Sequence, residues 1–113
     1  MEVDVKQLEP VTVLAVSGSV DSLTADQLTE ALSAHVKAGR IRQVVDFSGV
    51  EYTSSAGLRS LLATVKECRR LGGDMRMAAV QQQVERVLAL SGFASIIKIY
   101  GDAEAAVSSF GSN

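Results

Sequence analysis

Thr53, Ser54 and Ser55 stand in a row between an apolar strand and a helix, and no other residues of this chain are better placed for chemistry. On the strand side run Val44-Val45-Asp46-Phe47. On the helix side Leu58, Leu61, Leu62 and Val65 recur at a spacing that buries one stripe. A serine at a helix N-terminus lies beside unsatisfied backbone N–H groups and the positive end of the helix dipole. Anions are favoured there, so a phosphate can be written on such a serine without melting the helix. The structural alternative is plain capping, in which one hydroxyl accepts from an orphan N–H. One cap needs one hydroxyl and three are present. Pattern alone leaves both readings open.

Other chemistries lack their parts. A phosphate-gripping loop needs glycines at fixed spacing and a Gly-Lys-Ser/Thr run; Gly18 and Gly49 stand alone and no such run occurs. A serine hydrolase needs Gly-x-Ser-x-Gly and a histidine base. Ser55 has Gly57 on one side only, and the single histidine, His35, falls in an apolar helical stripe where a boundary or core role is the simpler reading. A metal site needs clustered ligands, whereas Cys68 and His35 fall on different helices and Asp21 and Asp46 are isolated. Cys68 reads as a small residue at the surface or core edge of its helix. Lys66, Arg69 and Arg70 gather in the last turn of that helix, where cations complement the dipole and a solvated face explains them. Neither a cofactor nor a metal is expected.

The elements that position the hydroxyls follow from hydropathy and punctuation. Val3 and Val5 alternate with polar residues, Glu9-Pro10 marks a turn, and Val11 to Val16 is a second apolar run, so the chain opens with an antiparallel pair. Thr24 with Gln27 has the form of a capping box ahead of a stripe at Leu28, Ala31, Leu32, His35 and Val36, stopped by Gly39. Arg42 to Phe47 makes a third strand, and a second helix runs from about Ser55 to Leu71, where Gly72-Gly73 ends it. Met75, Met77 and Val80 predict a fourth strand, and Val84, Val87 and Leu88 a third helix that stops at Gly92. Ile96, Ile97 and Ile99 predict a fifth strand. Asp102 caps a last helix bearing Ala106, Val107 and Phe110. Strands alternating with helices after a hairpin argue an α/β fold with mostly parallel strands joined by right-handed crossovers.

At 113 residues this is one domain, spanning 1–113, with Ser108 to Asn113 expected to fray. A chain of this size buries roughly two-thirds of its unfolded surface, enough for a core without staples. Thirteen acidic against eleven basic residues leave a formal net charge of −2, which gives no electrostatic case for nucleic acid. One cysteine precludes an internal disulfide and points to a reducing compartment. The start, Met1-Glu2-Val3-Asp4-Val5-Lys6, does not look like a signal peptide, and no apolar run approaches the ~20 residues that span a bilayer. The expectation is a soluble, cytoplasmic protein.

Several blocks, in this order, resemble STAS domains, and among them the free-standing bacterial anti-sigma factor antagonists. Gly18-Ser19-Val20-Asp21 is similar to the family's G-x-[LVI]-D ahead of the first helix. Val44 to Tyr52 is similar to V-x-D-[LF]-S-x-V-x-[FY], and Ser54-Ser55-Ala56-Gly57-Leu58 to the phosphorylation signature, a serine two residues before Gly-Leu. Val84 to Phe93 is similar to V-x-x-[VL]-L-x-[LI]-[ST]-G-[LF].

The resemblance implies a single domain with a mixed, mostly parallel sheet of about five strands, an N-terminal antiparallel strand and about four helices. It places the phospho-acceptor on Ser55, with Ser54, where many members carry aspartate, as second choice. It implies a switch without enzymatic activity of its own. The unphosphorylated form binds an anti-sigma factor serine kinase and frees a sigma factor, phosphorylation at Ser55 abolishes binding, and a PP2C-type serine phosphatase restores it. A non-phosphorylated scaffold or regulatory subunit of a transport or secretion-control assembly is the alternative. The docking surface is expected to comprise Asp21, Ser22 and Thr24 with Thr53, Ser54, Ser55 and Gly57, joined by the charge of Asp21 and Glu51. Gly57 is expected to leave room for a kinase to close over the serine.

Overall fold

The computed structural model describes residues 1–111. β1 (Glu2–Gln7) pairs antiparallel with β2 (Thr12–Ser17), and Glu9-Pro10 lies in the turn between them. The chain then forms α1 (Ala25–Lys37), β3 (Arg42–Gly49), α2 (Ser55–Arg70), β4 (Asp74–Ala78), α3 (Gln82–Leu90), a short 3-10 helix (Phe93–Ser95), β5 (Ile99–Tyr100) and α4 (Ala103–Ser108). The sheet order is β1-β2-β3-β4-β5, and every pairing after the first is parallel. This is the predicted α/β architecture.

The topology decides which face is covered. Each strand from β2 to β5 adds beside its predecessor in one direction, so crossovers of one hand place α1, α2 and α3 on the same face. There Leu14, Val16, Val45, Phe47, Met75 and Met77 meet Leu28, Leu32, Leu61, Val65, Val84 and Leu88 in the main core. Alternate residues of the same strands point the other way, and only α4 follows the last strand to reach them. A smaller cluster of Val11, Val13, Val44, Ala78 and Ala106 forms under it. The stripes on α1 and α2 follow the predicted spacing, whereas on α3 only Val84 and Leu88 are buried and Val87, expected in the stripe, is exposed. α2 and α3 give way to Gly72 (φ +94) and Gly92 (φ +83), backbone positions that suit glycine.

Four expectations need correction. Thr24 does not cap α1: its backbone is already helical (φ −101, ψ −10) and its side chain makes no cap bond. The turn opens earlier, with Ala25 N–H bonded to Asp21 O at 2.9 Å, and Gln27 reaches instead to Met1 O. The predicted fifth strand is mostly a turn. Ile97 N–H bonds back to Phe93 O, so Ile96 and Ile97 belong to the end of the 3-10 segment, and ladder pairing starts only when Met77 N–H meets Lys98 O. Cys68 is not at an edge but fully buried, and burial with the nearby Asp74 and Glu67 charges pushes its thiol up to about 11. Arg69 is not simply solvated. Its Nε donates to Asp74 Oδ1 (2.8 Å) and its Nη2 to Ile96 O (2.7 Å), tying α2 to the β4 entry.

Of the segment expected to fray, Ser109 Oγ accepts from Arg76 Nη1 (2.7 Å) and the Phe110 ring lies under the same guanidinium. Asp102 caps α4 as predicted, its Oδ1 accepting from Ala105 N–H at 2.7 Å. Ser112 and Asn113 lie outside the described residues. No described helix is long and apolar enough to cross a membrane.

Candidate functional site

Because β2 and β3 run parallel, the loops that leave their carboxyl ends emerge on one edge of the sheet. They are stitched together there. Val20 N–H bonds to Tyr52 O (2.9 Å), Ser54 N–H bonds to Val20 O (2.7 Å), and Val20 and Thr53 form an isolated parallel bridge. Asp21 therefore follows, by one residue, the chain that pairs with the start of α2. The next loop joins the same edge through Gln81 Nε2, which donates to Ser48 O at 2.8 Å.

The three hydroxyls have different surroundings. Thr53 is buried in the junction. Ser54 is the N-cap of α2, extended in backbone (φ −92, ψ 172), and its Oγ accepts from Gly57 N–H at 3.2 Å. Ser55 is the first helical residue and is exposed. Among the described residues no protein acceptor is bonded to the N–H groups of Ser55 or Ala56, and the first turn of α2 carries no acidic residue. The first turns of α1, α3 and α4 hold Asp26, Glu85 and Glu104. The end of α2 is thus a positive dipole terminus with two open donors and no carboxylate in its own first turn.

The Asp21 loop is held rigidly. Asp21 Oδ1 accepts from Leu23 N–H (2.9 Å) and Thr24 N–H (3.0 Å), while the Thr24 hydroxyl accepts from Asp21 N–H (2.9 Å). This is a reciprocal cap built one turn before the predicted one. The Thr24 N–H, helped by those of Leu23 and by the Thr24 hydroxyl, holds the Asp21 carboxyl below the usual carboxylate range against some desolvation. Ser22 is exposed, Thr24 is half-buried, and Glu51 is exposed.

Gly57 does not have the role the sequence suggests. A Cβ there would lie 2.5 Å from Thr53 Oγ1 and 2.7 Å from Val20 Cγ1, both inside the junction. Gly57 is buried and faces inward, so it lets α2 press against the two loops rather than clearing a path for a partner. Of the seven predicted surface residues, Asp21, Ser22, Thr24, Ser54 and Ser55 reach solvent, while Thr53 and Gly57 do not.

Two residues escaped the sequence reading. Leu23 is 89% exposed and Tyr52 55%, beside Ser22 and Thr53 in the two stitched loops. Leu23 could have been found by its phase, because it stands off the Ala25, Leu28, Leu32, Val36 stripe that α1 buries. His35 is half-buried and accepts from Arg40 Nη1 through Nδ1 (2.8 Å). Burial, then the Arg40 charge, holds its pKa below the ordinary value.

Comparison with known proteins agrees with this geometry. The STAS domain family matches residues 2–106. BtrV of Bordetella bronchiseptica, assigned as an anti-sigma factor antagonist, is 33% identical over 110 residues, covering 97% of this chain and 95% of that protein. The anti-sigma-B factor antagonist of Bacillus subtilis is 27% identical over 107 residues, covering 95% and 97%. A crystal structure of an anti-sigma factor antagonist from Mycobacterium paratuberculosis superposes with a TM-score of 0.87 at 29% identity, over 96% of this chain and 92% of that one.

Proposed function

The chain belongs to the STAS domain family, and from that premise we propose that it is a cytoplasmic anti-sigma factor antagonist switched by phosphorylation of Ser55. Unphosphorylated, it binds an anti-sigma factor serine kinase and so releases a sigma factor. The kinase transfers the γ-phosphoryl group of ATP to Ser55 Oγ, the complex parts, and a PP2C-type phosphatase hydrolyses the ester to reset it. The chain is the substrate of this cycle and performs no catalysis itself.

The observation that carries the reading is the division between Ser54 and Ser55. Ser54 Oγ is engaged in capping, whereas Ser55 is exposed beside two open N–H groups at a helix end whose first turn carries no acidic residue. Phosphate at Ser55 adds about −1.5 to −2 charges where the helix favours an anion, so the fold tolerates it. A partner packed on that edge must instead desolvate the new charge. A loss of ~3 kcal/mol is about a hundredfold in affinity, enough to switch partners. Asp21 adds a second negative charge to the edge, and Ser22, Leu23, Thr24, Tyr52 and Ser54 supply the rest of the accessible surface.

Intact-mass measurement after incubation with the host's candidate kinase and ATP tests this. Wild type and Ser54→Ala should each gain one phosphate and Ser55→Ala none, while Ser55→Ala still binds the kinase. Phosphate on Ser55→Ala would move the acceptor to Ser54. No phosphate from any cognate kinase would leave the scaffold reading in its place.

A further inference from the structure

The face of the sheet opposite the main core is only partly roofed, because α4 packs on β3, β4 and β5, reaches β2 at Val13, and leaves β1 and the Ala15 end of β2 less covered beside it. A cavity of about 530 Å³ occupies that opening. Its volume falls within the roughly 300–1,000 Å³ typical of small-molecule sites. Val13, Ala15 and Val107 give it an apolar floor and wall.

Its charge is set by register. Asp4 pairs with Ala15 on one side and Asp46 pairs with Ala15 on the other, so all three side chains point from the same face. Two strand spacings put the carboxylate-bearing backbones about 10 Å apart. Between them stands only a methyl group. Glu104, from the first turn of α4, lines the same cavity. Among the described residues none of these three carboxylates forms an ion pair, and Asp46 is engaged through one oxygen only, accepting from Ser48 N–H. Lys6 is the one cation in the lining, one row away opposite Val13. Three carboxylates against one ammonium leave the cavity anionic over an apolar floor.

We infer that this cavity binds a small organic cation, a primary amine carrying a hydrocarbon body. The ammonium occupies the gap above Ala15 between Asp4 and Asp46, within reach of Glu104. The hydrocarbon lies along Val13 and Val107. A carboxylate ligand of the same shape is disfavoured by three like charges, and a neutral one forgoes the ion pairs. The site is separate from the Ser55 edge and does not depend on the phosphorylation reading.

The test uses the isotope-labelled full chain titrated by NMR with octylammonium, octanol and octanoate. Octylammonium should give saturable amide shifts centred on Ala15, Asp46 and Val107, octanol should bind at least tenfold more weakly, and octanoate should not saturate. Asp4→Asn with Glu104→Gln, whose carboxylates make no hydrogen bond among the described residues, should remove the preference for the amine over the alcohol. Ala15→Leu should abolish binding of both octylammonium and octanol; should it fail to fold, the double variant still decides. Equal binding of octanoate, shifts centred on Leu23 and Ser55 instead, or no saturable shift would overturn the assignment. So would self-association of the chain through β1 that protects Ala15 without any amine.

Discussion

Gly57→Val tests whether the junction beneath Ser55 is held by packing or merely kept clear for a partner. The new Cβ would stand 2.5 Å from Thr53 Oγ1 and 2.7 Å from Val20 Cγ1. Unbonded carbon atoms settle at about 3.5–4.0 Å, so the junction must open by roughly 1 Å before valine's two further methyls are placed. Val20 is fully buried and its backbone holds both Tyr52 and Ser54, so it cannot retreat without loosening the bridge between the loops. Overpacking of this kind costs about 1–3 kcal/mol, and the helix-propensity gain over glycine returns only a few tenths. A net loss of about 1–2.5 kcal/mol corresponds to a melting temperature lower by roughly 4–15 °C in a domain of this size. Thermal denaturation followed by circular dichroism measures it, with Gly57→Ala giving a smaller drop of the same sign. Phosphorylation by the kinase is then assayed well below the new melting temperature. Melting within about 2 °C of wild type, together with lost phosphorylation, would refute the packing argument and restore the view that the glycine serves the kinase.

Ser54→Ala should lower stability by about 1 kcal/mol while leaving phosphorylation intact, whereas Ser55→Asp should weaken kinase binding with melting nearly unchanged; urea titration and calorimetric binding separate the two effects. Leu23→Ala should reduce kinase affinity tenfold or more without changing the melting temperature, because Leu23 is 89% exposed and contributes little to the core. The Asp21 carboxyl titrates below its unfolded value, so its support of the loop is complete above about pH 4 and is lost as pH falls through the lower folded value. Faster amide exchange at Leu23 and Thr24, after correction for intrinsic rates, should report that loss in acid, and Asp21→Ala should remove the pH dependence.

The order of elements was legible because each strand and helix carries its own period and its own stop. Helix stripes at Leu28, Leu32 and Val36 and at Leu58, Leu61 and Val65 needed no tertiary information, since burial follows from spacing. What the sequence hid depends on contacts between distant residues. The three isoleucines at 96, 97 and 99 suit a strand, yet Ile97 N–H is claimed by Phe93, and only two residues remain to pair. Thr24 and Gln27 have the capping spacing, but Asp21 competes for the Thr24 hydroxyl and starts the turn earlier. Gly57 misled for the same reason. Sequence says that a side chain is missing there, while only the fold says which neighbours its absence admits.

Three adjacent hydroxyls could each have capped the helix, packed in the junction or faced solvent, and the structure separates them along one turn of chain. Thr53 points into the junction with Val20 and Gly57, Ser54 turns its oxygen to the helix, and Ser55 faces water. That separation has an energetic consequence. A phosphate on Ser54 would have to give up the bond that starts α2, coupling modification to unfolding of the helix end. A phosphate on Ser55 disturbs no existing bond and meets a dipole terminus that still lacks its anion. Charge can then be added and removed repeatedly at little cost to the fold. A partner packed on that edge would feel the full change.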